Sequence, residues 1–196
     1  MESTFLVYLR LGFEHIADPS AYDHLLFVIV LVAIYTIGEW KRLLVLVTAF
    51  TVGHSLTLAL ATLRLISVES GLVEFLIPVT ILLTAALNTV EVQLRDEIKD
   101  ADSTLAWRIR YVIALVFGLI HGLGFSNFLR AILGEEERLL LPLFSFNVGL
   151  EIGQILILSA TLIVSGVVVQ TTALTQRIWG MILSVTGGIV ALTMIL

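Results

Sequence analysis

The chain has 196 residues, 58% hydrophobic and only 14% charged, with a mean hydropathy of +1.04. A soluble domain carries about 45–50% apolar and about 25% charged residues, so a water-soluble globular fold and intrinsic disorder are both excluded. A net charge of −5 with no basic tract argues against a nucleic-acid partner, and zero cysteines rule out disulfides, thiolate metal sites, Fe–S clusters and a cysteine nucleophile.

A bilayer is the remaining solvent, and a helix needs about 20 apolar residues to cross it. Residues 4–16 (TFLVYLRLGFEHI) carry Arg10 and Glu14 and read as a short interfacial helix or a re-entrant piece. Met1-Glu2-Ser3 lacks the basic start of a signal peptide. Six spans follow, at 23–38, 43–63, 72–90, 109–129, within 139–169, and at 178–196. None alternates like a strand, so helices are preferred to a barrel. Links are short except RDEIKDADSTLAWR after the third span. The predicted fold is all-α: a polytopic membrane protein with six transmembrane helices in one bundle plus the short N-terminal interfacial helix, a single domain over 1–196.

The basic residues predict orientation. Arg10, Arg64, Arg130 and Arg138 fall on one side; Lys41, Arg42, Arg95, Lys99, Arg108, Arg110 and Arg177 fall on the other. The excess marks the second side as cytoplasmic and leaves both termini on the outer, periplasmic side of a bacterial inner membrane.

Function is expected where polar groups interrupt the oil, because an ionisable group at the bilayer centre costs roughly 2.5–3.5 kcal/mol and needs a partner, water or a ligand. His15, Asp23 and His24 flank the entry to the first span, where Asp23 also reads as a helix N-cap. In the second span Thr48, Thr51, His54 and Ser55 recur at spacings of three and four, near one helix face. Glu74 begins the third span, with Asn88 near its other end and Glu91 at the inner surface. The fourth holds His121 among Gly118, Gly122 and Gly124, a pattern that serves close helix packing and a local break equally. In the fifth, Asn147, Glu151 and Gln154 form one stripe, and a glutamate so deep is the hardest of these residues to explain as structure alone. The sixth span reads as packing. Any one histidine is as well explained by an ordinary hydrogen-bonded role; four beside other polar groups favour a shared site.

Imidazole and carboxylate donors without thiols suit nickel, cobalt, zinc or ferrous iron and disfavour cuprous copper. The candidate metal-handling residues are His15, Asp23, His24, His54, His121 and Glu151, with Glu74, Ser55, Asn147 and Gln154 as polar support. A string of weak sites lets a permeating ion bind and still leave. The competing readings are an intramembrane zinc-dependent hydrolase and a non-conducting metal-binding accessory subunit. The chain has no H-E-x-x-H and no G-x-S-x-G, so a non-enzymatic role is preferred.

Five stretches resemble the HupE/UreJ family of small membrane proteins, regarded as nickel or cobalt permeases. They are GFEHIADPSAYDHLLFV from Gly12, TAFTVGHSLTLALA from Thr48, LVEFLIPVTILLTAALN from Leu72, FGLIHGLGF from Phe117 and FNVGLEIGQ from Phe146. The resemblance implies a six-helix permease and points to His15, Asp23 and His24 as metal-handling. Seven residues separate His15 from Asp23, where the family pattern has five, and Ala21-Tyr22 stand where a glycine is usual. The expected substrate is therefore a divalent transition metal, nickel or cobalt first and zinc as the alternative. No organic cofactor is expected. The expected partners are the lipid bilayer, the ion, and a second copy or an accessory protein. Nothing resembles an ATP-binding motif, and for a divalent cation the membrane potential supplies about 4.6 kcal/mol per 100 mV.

Overall fold

A computed structural model describes residues 3–19, 22–94, 104–133 and 139–196. Ser20 and Ala21, most of the charged loop after the third span, and Arg95, Lys99 and Arg138 of the charge bias lie outside the described residues. The described residues form helices joined by short turns, with no strand among them. In chain order the helices are α1 (Thr4–Ala17), α2 (Asp23–Val32), α3 (Trp40–Thr62), α4 (Ser70–Leu94), α5 (Thr104–Gly124), α6 (Ser126–Leu133), α7 (Leu140–Thr171) and α8 (Gln176–Ile195). A 3-10 turn at Ile37–Glu39 leads into α3, closed by a capping box between Thr36 and Glu39. Five segments, Ile37–Thr62, Ser70–Gln93, Thr104–Gly124, Leu140–Thr171 and Gln176–Ile195, are long and apolar enough to cross a membrane.

The start of the chain departs from the expected interfacial helix followed by a full first span. The helix expected over 23–38 stops at Val32, and neither α1 (14 residues) nor α2 (10 residues) is long enough to cross alone. Instead the two follow one another along α7. A Cβ at Gly149 would strike the Leu9 carbonyl, and one at Gly153 would strike the Ile16 side chain. Further along, Leu25 and Ile29 share a groove with Ile157 and Thr161. Tyr8, Gly12 and Ile16 of α1 are buried. The physical reason is Gly12, whose missing side chain lets the α1 backbone meet the Phe146 carbonyl directly.

A helix that ends inside a bundle strands its last carbonyls. At the end of α2 a side chain satisfies one of them, and another bonds the backbone just beyond it. Asn88 Nδ2 donates to the Val30 carbonyl at 2.6 Å and to Ser184 Oγ at 3.0 Å, and Gln176 Nε2 donates to the Tyr35 carbonyl at 2.8 Å. These bonds tie α2 to α4 and α8.

Helices α3 and α5 run parallel with their backbones in contact. Gly53 sits on the Leu115 carbonyl, Gly118 on the Phe50 carbonyl and Gly122 on the His54 carbonyl. The glycines around His121 are thus packing residues toward α3. Helix α5 ends at Gly124, and the last part of the expected fourth span is the separate short helix α6. Helix α3 closes with Arg64 at φ 59, while Leu65 N–H donates to the Leu60 carbonyl and Arg64 N–H to that of Ala61. This is the Schellman ending usually built on glycine.

Candidate functional site

The broken α1–α2 segment, α3 and α5 each deliver histidine to one place. His15 and His24 meet edge to face at 4.6 Å between ring centres, His15 and His54 lie at 5.8 Å, and His24 and His54 at 5.7 Å. His24 also meets His121 at 5.0 Å. His54 and His121 are fully buried and His24 nearly so. The sequence reading put His15 and His24 at an outer mouth and the other two deeper; the geometry makes one cluster of all four. The cause is the break between α1 and α2, which carries both early histidines inward to the level of His54.

Two rings have their proton positions set by neighbours. Asp23 Oδ1 accepts from His24 Nδ1 at 2.9 Å and from the His24 backbone N–H at 2.8 Å. Asp23 is the first residue of α2, where a carboxylate also suits the helix dipole. The N-cap position expected of it belongs to Tyr22, which makes no side-chain cap. With the proton on Nδ1, the His24 Nε2 lone pair is bare. On the other side, Thr80 Oγ1 donates to the Ile77 carbonyl at 2.7 Å and lies 2.9 Å from His121 Nε2. A hydroxyl has one proton, so His121 Nε2 donates to Thr80 and its Nδ1 carries the free pair.

Buried polar atoms are normally hydrogen-bonded, and each exception asks for an explanation. Among the described residues, His15 Nε2, His24 Nε2, both nitrogens of His54, and His121 Nδ1 are buried with no hydrogen-bond partner. Four imidazoles therefore present unspent nitrogens within one contiguous cluster. No three His, Asp or Glu side chains among the described residues already stand in chelating geometry. The rings touch, but their donors do not close on a single point.

A cleft of about 770 Å³ meets this cluster at His15. Glu14, His15, Asp18 and Pro19 line it from α1 and the break, and Phe125 and Phe128 from α6. Phe125 lies against His15 at 3.8 Å between ring centres. Opposite the cleft, Phe27 and Phe50 stack at 4.6 Å, and each lies 5.1 Å from His121.

The other expected site residues fall elsewhere. The stripe on α7 faces the hydroxyls of α3: Ser55 Oγ donates to Asn147 Oδ1 at 2.6 Å, Thr51 Oγ1 to Gln154 Oε1 at 2.7 Å, and Thr48 Oγ1 to Glu151 Oε1 at 2.6 Å. Glu151 thus pairs with a hydroxyl, and its Oε2 is buried without a partner among the described residues. Glu74 is exposed in the early part of α4. Thr80 escaped the sequence reading, yet Thr80, Thr84 and Asn88 recur every four residues, a stripe that marks one buried face of α4.

A family model described as HupE / UreJ protein matches residues 1–196. No curated protein and no solved structure matches the chain. Five long apolar helices with a histidine cluster inside them, and a family match over the full length, give one conclusion: the chain is an integral membrane protein that belongs to the HupE/UreJ family.

Proposed function

We propose that the protein is a permease for a divalent transition-metal ion, nickel or cobalt first and zinc as the alternative, and that the ion crosses by way of the histidine cluster. Six crossings carry it, the first made of α1 and α2 in series. One observation carries the reading: four imidazoles from separate stretches of chain hold bare, buried nitrogens in one cluster, and one of them, His15, lines a cleft. Neutral nitrogen donors suit these borderline metals. Asp18 at the cleft adds a carboxylate beside His15, and Asp23 fixes the His24 proton on Nδ1 and leaves its Nε2 for the ion. Donors that touch without closing on a point bind weakly enough to pass the ion on. Glu151 lies on a neighbouring seam and serves as a second, later stop.

The cleft is lined by Glu14, the ion-pair partner of Arg10, and by Phe128 of α6, the helix that holds Arg130; Lys41, Arg42, Arg108, Arg110 and Arg177 lie at the other ends of the helices. By the charge bias those other ends are cytoplasmic, so the resting structure accepts metal from outside. The test is uptake of Ni, Co, Zn and Fe into proteoliposomes containing a metal-sensitive dye. His24→Ala is expected to abolish uptake, and Asp23→Asn to reduce it about 10–100-fold as other outer-shell losses do, with both proteins still inserting. Parental uptake in both variants refutes the site.

A further inference from the structure

The same helices that bring the histidines together converge again at their opposite end, on groups of a different kind. Tyr35 follows α2, Arg42 opens α3, Glu91 ends α4, and Trp107 and Arg110 open α5. Tyr35 and Trp107 are each 3% exposed and lie 5.1 Å apart between ring centres. The Arg110 guanidinium sits 4.6 Å from the Trp107 ring centre and 5.6 Å from that of Tyr35. The Arg42 guanidinium covers Trp107 at 5.2 Å. Glu91 Oε1 holds Arg110 Nη2 at 2.7 Å, with the two side chains only 18% and 16% exposed.

The spacing is the same on three helices. His54 is twelve residues from Arg42, Thr80 eleven from Glu91, and His121 eleven from Arg110, about 16–18 Å along each axis. Between the two levels lie Phe27, Phe50 and Phe117, with Phe27 and Phe117 at 6.2 Å, and the fully buried Ala114. A line from the cluster to the far face therefore meets an aromatic layer and then an aromatic–cation layer.

We propose that Glu91 and Arg110, clamped on Tyr35 and Trp107, form a closed exit gate at the far end of this line, with Arg110 acting as a tethered cation that occupies Glu91 until the travelling ion displaces it. This rests on the permease reading for the identity of the ion, though not for the gate itself. The chemistry follows from charge. A guanidinium beside two ring faces is held by its carboxylate and by the ring quadrupoles. Glu91 is the carboxylate that an ion meets once past the phenylalanines. A divalent cation there outcompetes a monovalent guanidinium, and Arg110, stripped of its buried counter-charge, swings to water. Removing either partner leaves the gate without its latch.

The chain has no native cysteine, so one introduced thiol reports on one place. Ala114→Cys, between Phe117 and Arg110 on α5, is made in the full chain and reconstituted in liposomes. Its rate of reaction with a charged, membrane-impermeant thiol reagent is then measured. Slow labelling is expected, rising at least tenfold when Glu91→Gln or Arg110→Ala is added and unchanged with the exposed Arg108→Ala. Thr84→Cys on α4 gives the same reading should Ala114→Cys fold poorly. Fast labelling before the latch is touched, or no acceleration in either latch variant of a well-folded protein, overturns the proposal. Nickel chloride alone is expected to accelerate labelling with the latch intact and to do nothing in Glu91→Gln. If the latch arm succeeds but nickel, cobalt and zinc chlorides all fail to accelerate labelling, the latch stands and the permease reading falls.

Discussion

The two sides of α3 are held by different physics. Toward α5 it offers Gly53 and the carbonyls of Phe50 and His54, and the backbones touch. Toward α7 it offers Thr48, Thr51 and Ser55, each bonded to a polar side chain. Lipid removes the hydrophobic drive between helices, which leaves close packing and hydrogen bonds as adhesives. The first fails as a whole when a single atom is added. The second is divisible, and each bond is small. His54 projects from the tightly packed side and its position is inherited from the glycine contacts; Glu151 belongs to the adjustable seam.

The comparison breaks most visibly at Gly118. Gly118→Leu would drive a side chain into the Phe50 carbonyl, and a destabilisation of about 3 kcal/mol, the upper end for overpacking, is expected, read as a large fall in Tm in detergent. A Tm within a degree of the parent would mean that α3 and α5 are not locked. The polar seam should respond far less. Thr51→Val deletes the donor to Gln154 while keeping shape, and about 0.6 kcal/mol is expected, with about 1.7 as the ceiling for such bonds in membranes. A loss matching that at Gly118 would show the two faces to be equally rigid. The smallest effect lies at the end of α3. Arg64→Gly relieves a left-handed residue, worth about 1–2 kcal/mol, against the extra freedom of unfolded glycine, about 0.4–1 kcal/mol. A net gain of about half a kcal/mol should appear as a slightly raised Tm, and a loss would mean that the Arg64 side chain holds the turn.

The later spans were legible because a continuous apolar run has one reading in a membrane. Four of them match their expected bounds to within a few residues, and the fourth differs by ending at Gly124. The beginning of the chain was not legible in the same way. Residues 4–16 carry two charges and suggest a surface helix, yet Arg10 and Glu14 pair with each other at 2.7 Å on the exposed side while Gly12 and Ile16 face α7. Pattern showed an amphipathic segment; it did not show that the polar side turns toward a cleft.

The same division runs through the site. Histidine, aspartate and glutamate inside apolar runs are anomalies of composition, so the candidates could be named from the order of residues alone. Which of them share a space depends on long-range packing. The bare glycine faces press the helix that carries His121 onto the one that carries His54, the break between α1 and α2 carries His15 and His24 to the same level, and the α3 hydroxyls draw Asn147, Glu151 and Gln154 onto a separate seam. Residue order set the solvent, the helical class and the scarce polar chemistry, because those follow from transfer energies acting on each segment by itself. The folded bundle chose the neighbours, because a helix has one polar stripe but several faces, and the closest backbone approach decides which face meets which.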